Sequence, residues 1–366
     1  MKEMTSYERV KNTLELKPVD KLAIALFPWQ ETIERWRSQG HLKEGEDVFE
    51  KFGQDLRGAG WWQDRMVANL DYKEQILEET EDTILKCDGN GATLRWHKKH
   101  EGAPEHVDFL VKDRKGWQEH IRPYLSGVDR RRIPFEEYRK EKAVSAERKR
   151  FFYWYGAGPF ELIHPVCGHE YMLMGMALDP EWVKEMVTTY VGLTIDLLEV
   201  LFAEEGTPDG FFIYEDLGYK FKPFISPQMY KDIMFGGHKR LFDYAHSKGC
   251  KVIVHSCGYV EPLVHGLIEA GMDCLQAMEV KAGMDLPTLF RKFGDRIAFF
   301  GGIDARVLAT NDKVKIDQEL LKKIPPVVNN GGSYILHSDH SEPPEVEWET
   351  MEYFFTRGRE IAAGKI

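Results

Sequence analysis

The chain has 366 residues, 43% of them hydrophobic and 30% charged, which excludes both a small stapled scaffold and a disordered chain. Forty-nine Lys and Arg against 60 Asp and Glu leave a formal charge of −11, so a nucleic acid or an anionic membrane is not expected as the main partner. Five cysteines (Cys87, Cys167, Cys250, Cys257 and Cys274) are an odd number spread thinly, unlike a secreted disulfide framework. The N-terminal stretch Met1 to Asn12 is polar without an apolar h-region, and no uninterrupted apolar run nears the roughly 18 residues of a membrane span, so a cytoplasmic protein is expected.

Leu22 to Phe27 is the first strand candidate. Thr83–Cys87 and Ala92–Trp96, joined by Asp88-Gly89-Asn90-Gly91, alternate and turn like a β-hairpin. The Gly89-x-Gly91 turn lacks the third glycine and the strand-to-helix setting of a dinucleotide fingerprint. Arg130 to Lys149, dense in both charge signs, reads as a solvated helix or linker. Phe151–Tyr155 is a second strand, and Asp179-Pro180 caps a long helix from Glu181 to Phe202.

From Gly210 onward the pattern becomes regular. Phe211–Tyr214 is a continuous apolar strand, and Ser226-Pro227 opens a helix that stops at Gly249. Lys251–His255 is a strand, with Val260, Leu263, Val264, Leu267 and Ile268 following at helical spacing to Gly271. Cys274–Ala277 precedes a helix capped by Asp285 and closed near Gly294. Ile297–Phe300 is followed by a helix from Ala305 to Pro325, and Tyr334–Leu336 by a helix over Glu345 to Ala362. Five successive strand–helix units suit a (β/α)8 barrel or a doubly wound sheet. The barrel is the expected fold: one domain over 1–366, with residues 80–150 as a β-hairpin and helical insertion.

Parallel barrels carry their chemistry at the C-terminal ends of the strands. Those ends read Glu215-Asp216, His255-Ser256-Cys257, Glu279, Asp304 and Asp339-His340. His255 and Cys257, two apart in a strand, share a face, so imidazole and thiolate converge on one ion; zinc accepts that donor mixture and needs a third protein ligand when one position stays open. The candidates for it are His340, Glu279 and, as the weakest, Cys274, which lies at the start of its strand with a core thiol's placement. Cys87, Cys167 and Cys250 read as core as well. Glu215, Asp216 and Glu279 are the candidate catalytic carboxylates, although the first two also suit a helix cap or a pair with Lys220.

His337 and His340, three apart, face opposite sides of an extended segment, and His340, farther past the strand, is the preferred ligand. Phe27, Trp29, Tyr155, Asp304 and His337 are candidates for substrate contact, with Asp304 equally placed to cap the next helix. His164 and His169, flanking Cys167, leave packing and pocket lining both open.

The order Phe211-Phe212-Ile213-Tyr214-Glu215-Asp216-Leu217-Gly218, His255-Ser256-Cys257-Gly258, Glu279-Val280-Lys281-Ala282-Gly283-Met284-Asp285 and Gly301-Gly302-Ile303-Asp304 resembles the uroporphyrinogen decarboxylase superfamily. More narrowly it is similar to the corrinoid-dependent methyltransferase branch, which includes methylcobamide:coenzyme M methyltransferases and O-demethylase components. Arg9-Val10 to Pro18-Val19-Asp20-Lys21 fits as well, so the resemblance covers nearly the whole chain. It implies a single (β/α)8 barrel with a zinc site built from the HxC pair and a late third ligand. That ligand is a Cys in those relatives, and His340 stands in its place here.

The function so implied is zinc-dependent transfer of a methyl group between a small methoxy, thiol or amine compound and a corrinoid on a partner protein, since the chain has no D-x-H-x-x-G cobalamin motif. True uroporphyrinogen decarboxylases carry an arginine-rich motif after the first strand, where this chain has Phe27-Pro28-Trp29-Gln30-Glu31-Thr32. Tetrapyrrole decarboxylation therefore ranks second, and a non-catalytic ligand-binding barrel is the third reading.

Overall fold

The computed structural model describes residues 3–99 and 104–365. Eight parallel strands form one curled sheet of TIM-barrel type: β1 (Ala23–Ile24), β2 (Leu56–Gly60), β3 (Phe151–Ala157), β4 (Gly210–Tyr214), β5 (Lys251–Ser256), β6 (Cys274–Ala277), β7 (Ala298–Gly301) and β8 (Tyr334–Leu336). Neighbours in the sheet follow chain order from β2 to β8, and β8 pairs with β1. This is the sequential winding that right-handed βα units impose.

The remaining seam lies between β1 and β2, and side chains bridge it. The Asp55 N–H donates to Ile24 O at 3.0 Å, and the Ile24 N–H donates back to Asp55 Oδ2 at 2.9 Å. Two residues further along the chain, the Leu26 N–H donates to Gln54 Oε1 at 2.9 Å. Asp55 also accepts from Arg9 at 2.5 Å and from Arg359 at 3.1 Å, and Arg9 holds Asp20 at 2.8 Å. One buried carboxylate thus ties the seam to the first and last helices.

Strand periodicity sorts the interior. Ala23, Ala25, Phe151, Tyr153, Phe212, Ile253, Cys274, Phe300 and Ile335 point into the barrel. Helix Ser6–Leu14 plugs its N-terminal end with Val10 and Leu14. The alternate residues, among them Phe211, Ile213, Val252, Val254 and Leu275, pack outward against the helices. Helix Pro180–Glu205 is long and apolar enough to cross a membrane, but here Leu193, Leu197 and Leu201 are buried within the fold.

Several expectations change. β2 has no apolar run: it reads Leu56-Arg57-Gly58-Ala59-Gly60, because the Tyr153 ring occupies the space at Gly58, where a Cβ would sit 2.2 Å from it. The expected hairpin is present as Thr83–Cys87 and Ala92–His97, yet it is the centre of a four-stranded antiparallel sheet with Gln75–Glu79 and Glu105–Phe109. Of the two readings of the charged run, solvated helix or linker, the helix is the one present. Helix Phe135–Arg148 is the barrel helix between β2 and β3, with Tyr138 buried edge-on to Phe152 and its hydroxyl donating to Gly206 O at 3.0 Å. The segment after β7 breaks into helices Ala305–Leu308, Lys313–Lys323 and Pro325–Val328, with Asp312 capping the second. Cys167, Cys250 and Cys274 are buried as expected, whereas Cys87 is half-buried.

Glu215 follows the outward parity of Phe211 and Ile213. It is fully buried, accepts from the Phe160 and Glu161 N–H groups at the start of helix Pro159–Leu178, and meets His238 Nε2 at 2.6 Å. Its place is in the helix layer, not at the barrel mouth, which corrects its expected catalytic role.

Replacing Asp55 with Ala strands Arg9 and Arg359, and Glu215→Ala strands His238 and a helix N-terminus. Each should cost about 3–5 kcal/mol of unfolding free energy in urea titrations. Burial alone would raise Asp20, but hydrogen bonds from Arg9 and the Met4 N–H hold it down at about 2. Its folded pKa lies below the unfolded value of about 3.9, so its contribution is complete above that pH and is lost as pH falls through about 2. Asp20→Asn should flatten that part of the acid-unfolding profile.

Candidate metal centre

Inward parity carries β5 from Ile253 to His255 and on to Cys257, at the mouth of the barrel. Gly258, with φ +74°, turns the chain there, and its Cα lies so close to Gly218 that a Cβ would meet the Gly218 carbonyl carbon at 2.3 Å. The β5–β6 register sets His255 beside Gln276, whose buried amide oxygen accepts the hydrogen bond from His255 Nδ1. With Nδ1 carrying the proton, Nε2 presents its lone pair 3.2 Å from Cys257 Sγ.

His340 arrives from the loop after β8 in the same manner. Its Nδ1 lies 3.4 Å from Asp339 Oδ1, and its Nε2 faces Cys257 Sγ at 3.9 Å. Asp339 is itself fixed, accepting from the Val280 N–H at 2.8 Å and the Ala305 N–H at 2.9 Å. Glu279 Oε2 stands 3.8 Å from His340 Nε2 and accepts from the Gly258 N–H at 2.7 Å. Asp216 Oδ1 lies 3.4 Å from His255 Nε2 and accepts from the Cys257 N–H at 2.8 Å.

The donor atoms of Cys257, Glu279 and His340 lie within 4.8 Å of one another, as do those of Asp216, His255 and Cys257. A tetrahedral zinc site has S···N edges of about 3.6 Å, given Zn–S near 2.3 Å and Zn–N near 2.05 Å. The 3.2 and 3.9 Å separations bracket that edge, and two donor triads that share Cys257 suit a zinc ion, one with His255 and Asp216 and one with His340 and Glu279; among the described residues, no group within 4.8 Å holds both histidines. Burial pushes the Cys257 thiol up to about 11, and hydrogen bonds to Asp339 and Cys257 push His340 up to about 10. A metal entering here displaces protons from both.

Beside Cys257 and Asp216 opens a cavity of about 910 Å³ between the barrel mouth and the four-stranded sheet. From the barrel side it is lined by Trp62, Glu161, His164, His169 and Phe224, and from the sheet by Lys86, Asp88, Trp96 and His106. The rings of His164 and His169 stack at 4.4 Å, with His106 about equally far from both at 6.1 and 6.0 Å. Burial lowers His106, and burial with its two histidine neighbours takes His169 down to about 4, so both rings are neutral at pH 7. His164 and His169, left open between packing and pocket lining in the sequence, line the cavity.

The expected substrate contacts divide differently. Trp29 is 51% exposed at the start of helix Gln30–Ser38 and does not line the cavity. Asp304 caps helix Ala305–Leu308 and pairs with Arg306 at 2.7 Å, which commits its carboxylate. His337 is fully buried beneath Phe27 and Phe300, at ring distances of 4.9 and 5.5 Å, and burial lowers it to about 3; it belongs to the barrel interior and is closed to substrate. Phe27 closes the floor against Phe212 and Phe300. Tyr155 sits under Trp62 at 5.6 Å, pushed up to about 12 by burial. The sequence places Asp339 at its strand end but does not show its contact with the His340 imidazole, and Gln276, Trp62, Trp96 and His106 are not among the expected site residues. Strand register would have found Gln276, whereas the cavity walls depend on where the four-stranded sheet docks.

No curated protein is similar enough in sequence to be matched. Among solved structures, the chain is similar to a methyltransferase from Methanosarcina mazei at a TM-score of 0.64 and 14% identity, covering 98% of this chain and 99% of that one. That likeness reports the fold. Residues 156–361 match the uroporphyrinogen decarboxylase family, the stretch that contains β4 to β8, the HxC pair and His340, and the chain belongs to that family.

Proposed function

We propose that the protein is a zinc-dependent methyltransferase that moves a methyl group between a small methylated compound and a corrinoid carried on a partner protein. The observation that carries the metal part is the matched orientation of two imidazoles. His255 Nδ1 is hydrogen-bonded to Gln276, His340 Nδ1 lies in an ion-pair contact with Asp339 at 3.4 Å, and each imidazole aims Nε2 at the Cys257 sulfur. Such outer partners are what set a metal-ligating histidine's tautomer and direction. They favour His340 as the third ligand, with Glu279 beside it.

Zinc held there would supply Lewis acidity, lowering the energy of negative charge on the oxygen or sulfur that gains or loses the methyl group. The protein's part is placement. Cys257, His255 and His340 form one wall of the mouth, and Asp216 and Glu279 stand within reach to orient a substrate or hold its proton. The family membership and the methyltransferase fold likeness support this reading. A corrinoid must be brought by another chain, in keeping with the missing cobalamin motif. Decarboxylation of a polycarboxylate tetrapyrrole fits less well, because the described residues of the cavity supply five carboxylates (Asp64, Glu74, Asp88, Glu161 and Asp216) and a single lysine.

Protein purified without chelator or metal-affinity tag should contain about one zinc per chain by plasma mass spectrometry. Cys257→Ser and His340→Ala should both lose it, and Asp339→Asn should weaken zinc binding about 10–100-fold in chelator competition. Methyl transfer from methylcobalamin to a small thiol should fall in parallel. Zinc retained in His340→Ala would move the third ligand to Glu279, and transfer that survives removal of the metal would overturn the zinc-dependent reading.

A further inference from the structure

We infer that the cavity beside the metal centre selects a substrate bearing a cationic ammonium group. The inference deepens the methyltransferase reading by naming the substrate class, and rests on it for the fate of the methyl group but not for the binding itself.

Charge balance comes first. Five carboxylates line the cavity against one ammonium, that of Lys86. Lys86 is already committed: its Nζ lies 2.9 Å from Glu74 and sits over the Trp96 ring at 5.5 Å. Among the described residues, Asp64, Asp88, Glu161 and Asp216 form no ion pair with Lys or Arg; Asp88 accepts from backbone N–H groups with Glu74 and Lys86 acting on it through space, Glu161 meets Gln63 and His164, and Asp216 meets His255. Burial raises both Asp88 and Glu161, outweighing the opposing pull of Lys86 on the first and of His164 on the second. Among the described residues no arginine lines the cavity, so a carboxylate or phosphate on the ligand would find no fork there to bind it.

The walls supply the second, independent observation. Trp62 packs at 4.1 Å on Tyr214 yet keeps 44% of its surface exposed at the mouth. Phe224, stacked on His169 at 5.0 Å, lines the same cavity. Aromatic faces next to uncompensated carboxylates favour an ammonium over a neutral group of the same shape, through the ring quadrupole and the field of the carboxylates together. Lys86 over Trp96 shows the arrangement already made once within the chain. The sheet that brings Lys86, Asp88 and Trp96 is therefore the specificity element, and Cys257 and Asp216 mark where the reacting end would lie.

A charge series on one scaffold tests this. Para-methoxybenzylammonium, para-methoxybenzyl alcohol and para-methoxybenzoate share a ring and a methyl ether and differ in charge. Titrated calorimetrically, the ammonium should bind about tenfold tighter than the alcohol, and the benzoate weakest of the three. Asp64→Asn together with Glu161→Gln should erase most of the difference between ammonium and alcohol without weakening the alcohol. Asp64→Asn alone, at an exposed position, serves if the double variant unfolds at lower urea. Equal or tighter binding of the alcohol or benzoate, a charge preference untouched by the variants, or no binding of any of the three at millimolar concentration would overturn the inference. The series is run on metal-free wild type and on Cys257→Ser, so loss of the zinc reading would leave its outcome intact.

Discussion

A sheet of eight parallel strands has two edges, and the site exists because Asp55 joins them. β1 is short, and its pairing with β2 rests on one backbone hydrogen bond and on side chains standing in for backbone carbonyls. Asp55 fills that role while accepting from Arg9 of the plug helix and Arg359 of the last helix. A buried carboxylate is costly unless its charge is compensated, and here two guanidiniums and a backbone N–H compensate it. With the seam closed, all eight C-terminal strand ends converge on one mouth, bringing β5 and the loop after β8 within a sulfur–nitrogen contact.

Within that frame a single-residue step along a strand separates structure from chemistry. Glu215 and Asp216 are adjacent, yet the first anchors a helix N-terminus in the outer layer and the second meets His255 at the mouth. Ser256 and Cys257 divide in the same way: the serine hydroxyl accepts from the Leu217 N–H behind the sheet, and the thiol faces the imidazoles. The groups behind the donors are as ordered as the donors. Gln276 is held by strand register and Asp339 by two backbone N–H groups, so both imidazoles are oriented before any ion arrives.

The four-stranded sheet after β2 gives the mouth its depth. Its outer strands are exposed, but the side chains of Lys86, Asp88, Trp96 and His106 turn toward the barrel and close a cavity rich in carboxylates and neutral rings. The barrel supplies a metal-competent donor set at one end of that space and the added sheet supplies its polarity. Such a division lets ligand choice change without disturbing the strands that carry Cys257 and His255.

What the sequence by itself determined is local. The apolar runs from Phe211 to Leu336 are strands, Asp179, Ser226 and Asp285 are helix caps with their side-chain hydrogen bonds made, and the HxC pair stands at a strand end. Two-residue periodicity also held the answer for Glu215, since its parity matches Phe211 and Ile213. Tertiary structure decided the rest. β2 is a strand because Tyr153 fills the room Gly58 leaves and the Tyr155 backbone the room at Gly60, a fact written in a partner nearly a hundred residues away. The burial of His337, the capping role of Asp304 and the exposure of Trp29 depend on which layer each loop enters. The cavity depends on where an antiparallel sheet docks against a parallel barrel. Backbone preference and side-chain period act over a few residues and are legible in order along the chain, whereas burial and the meeting of charges belong to surfaces that exist once distant segments have packed.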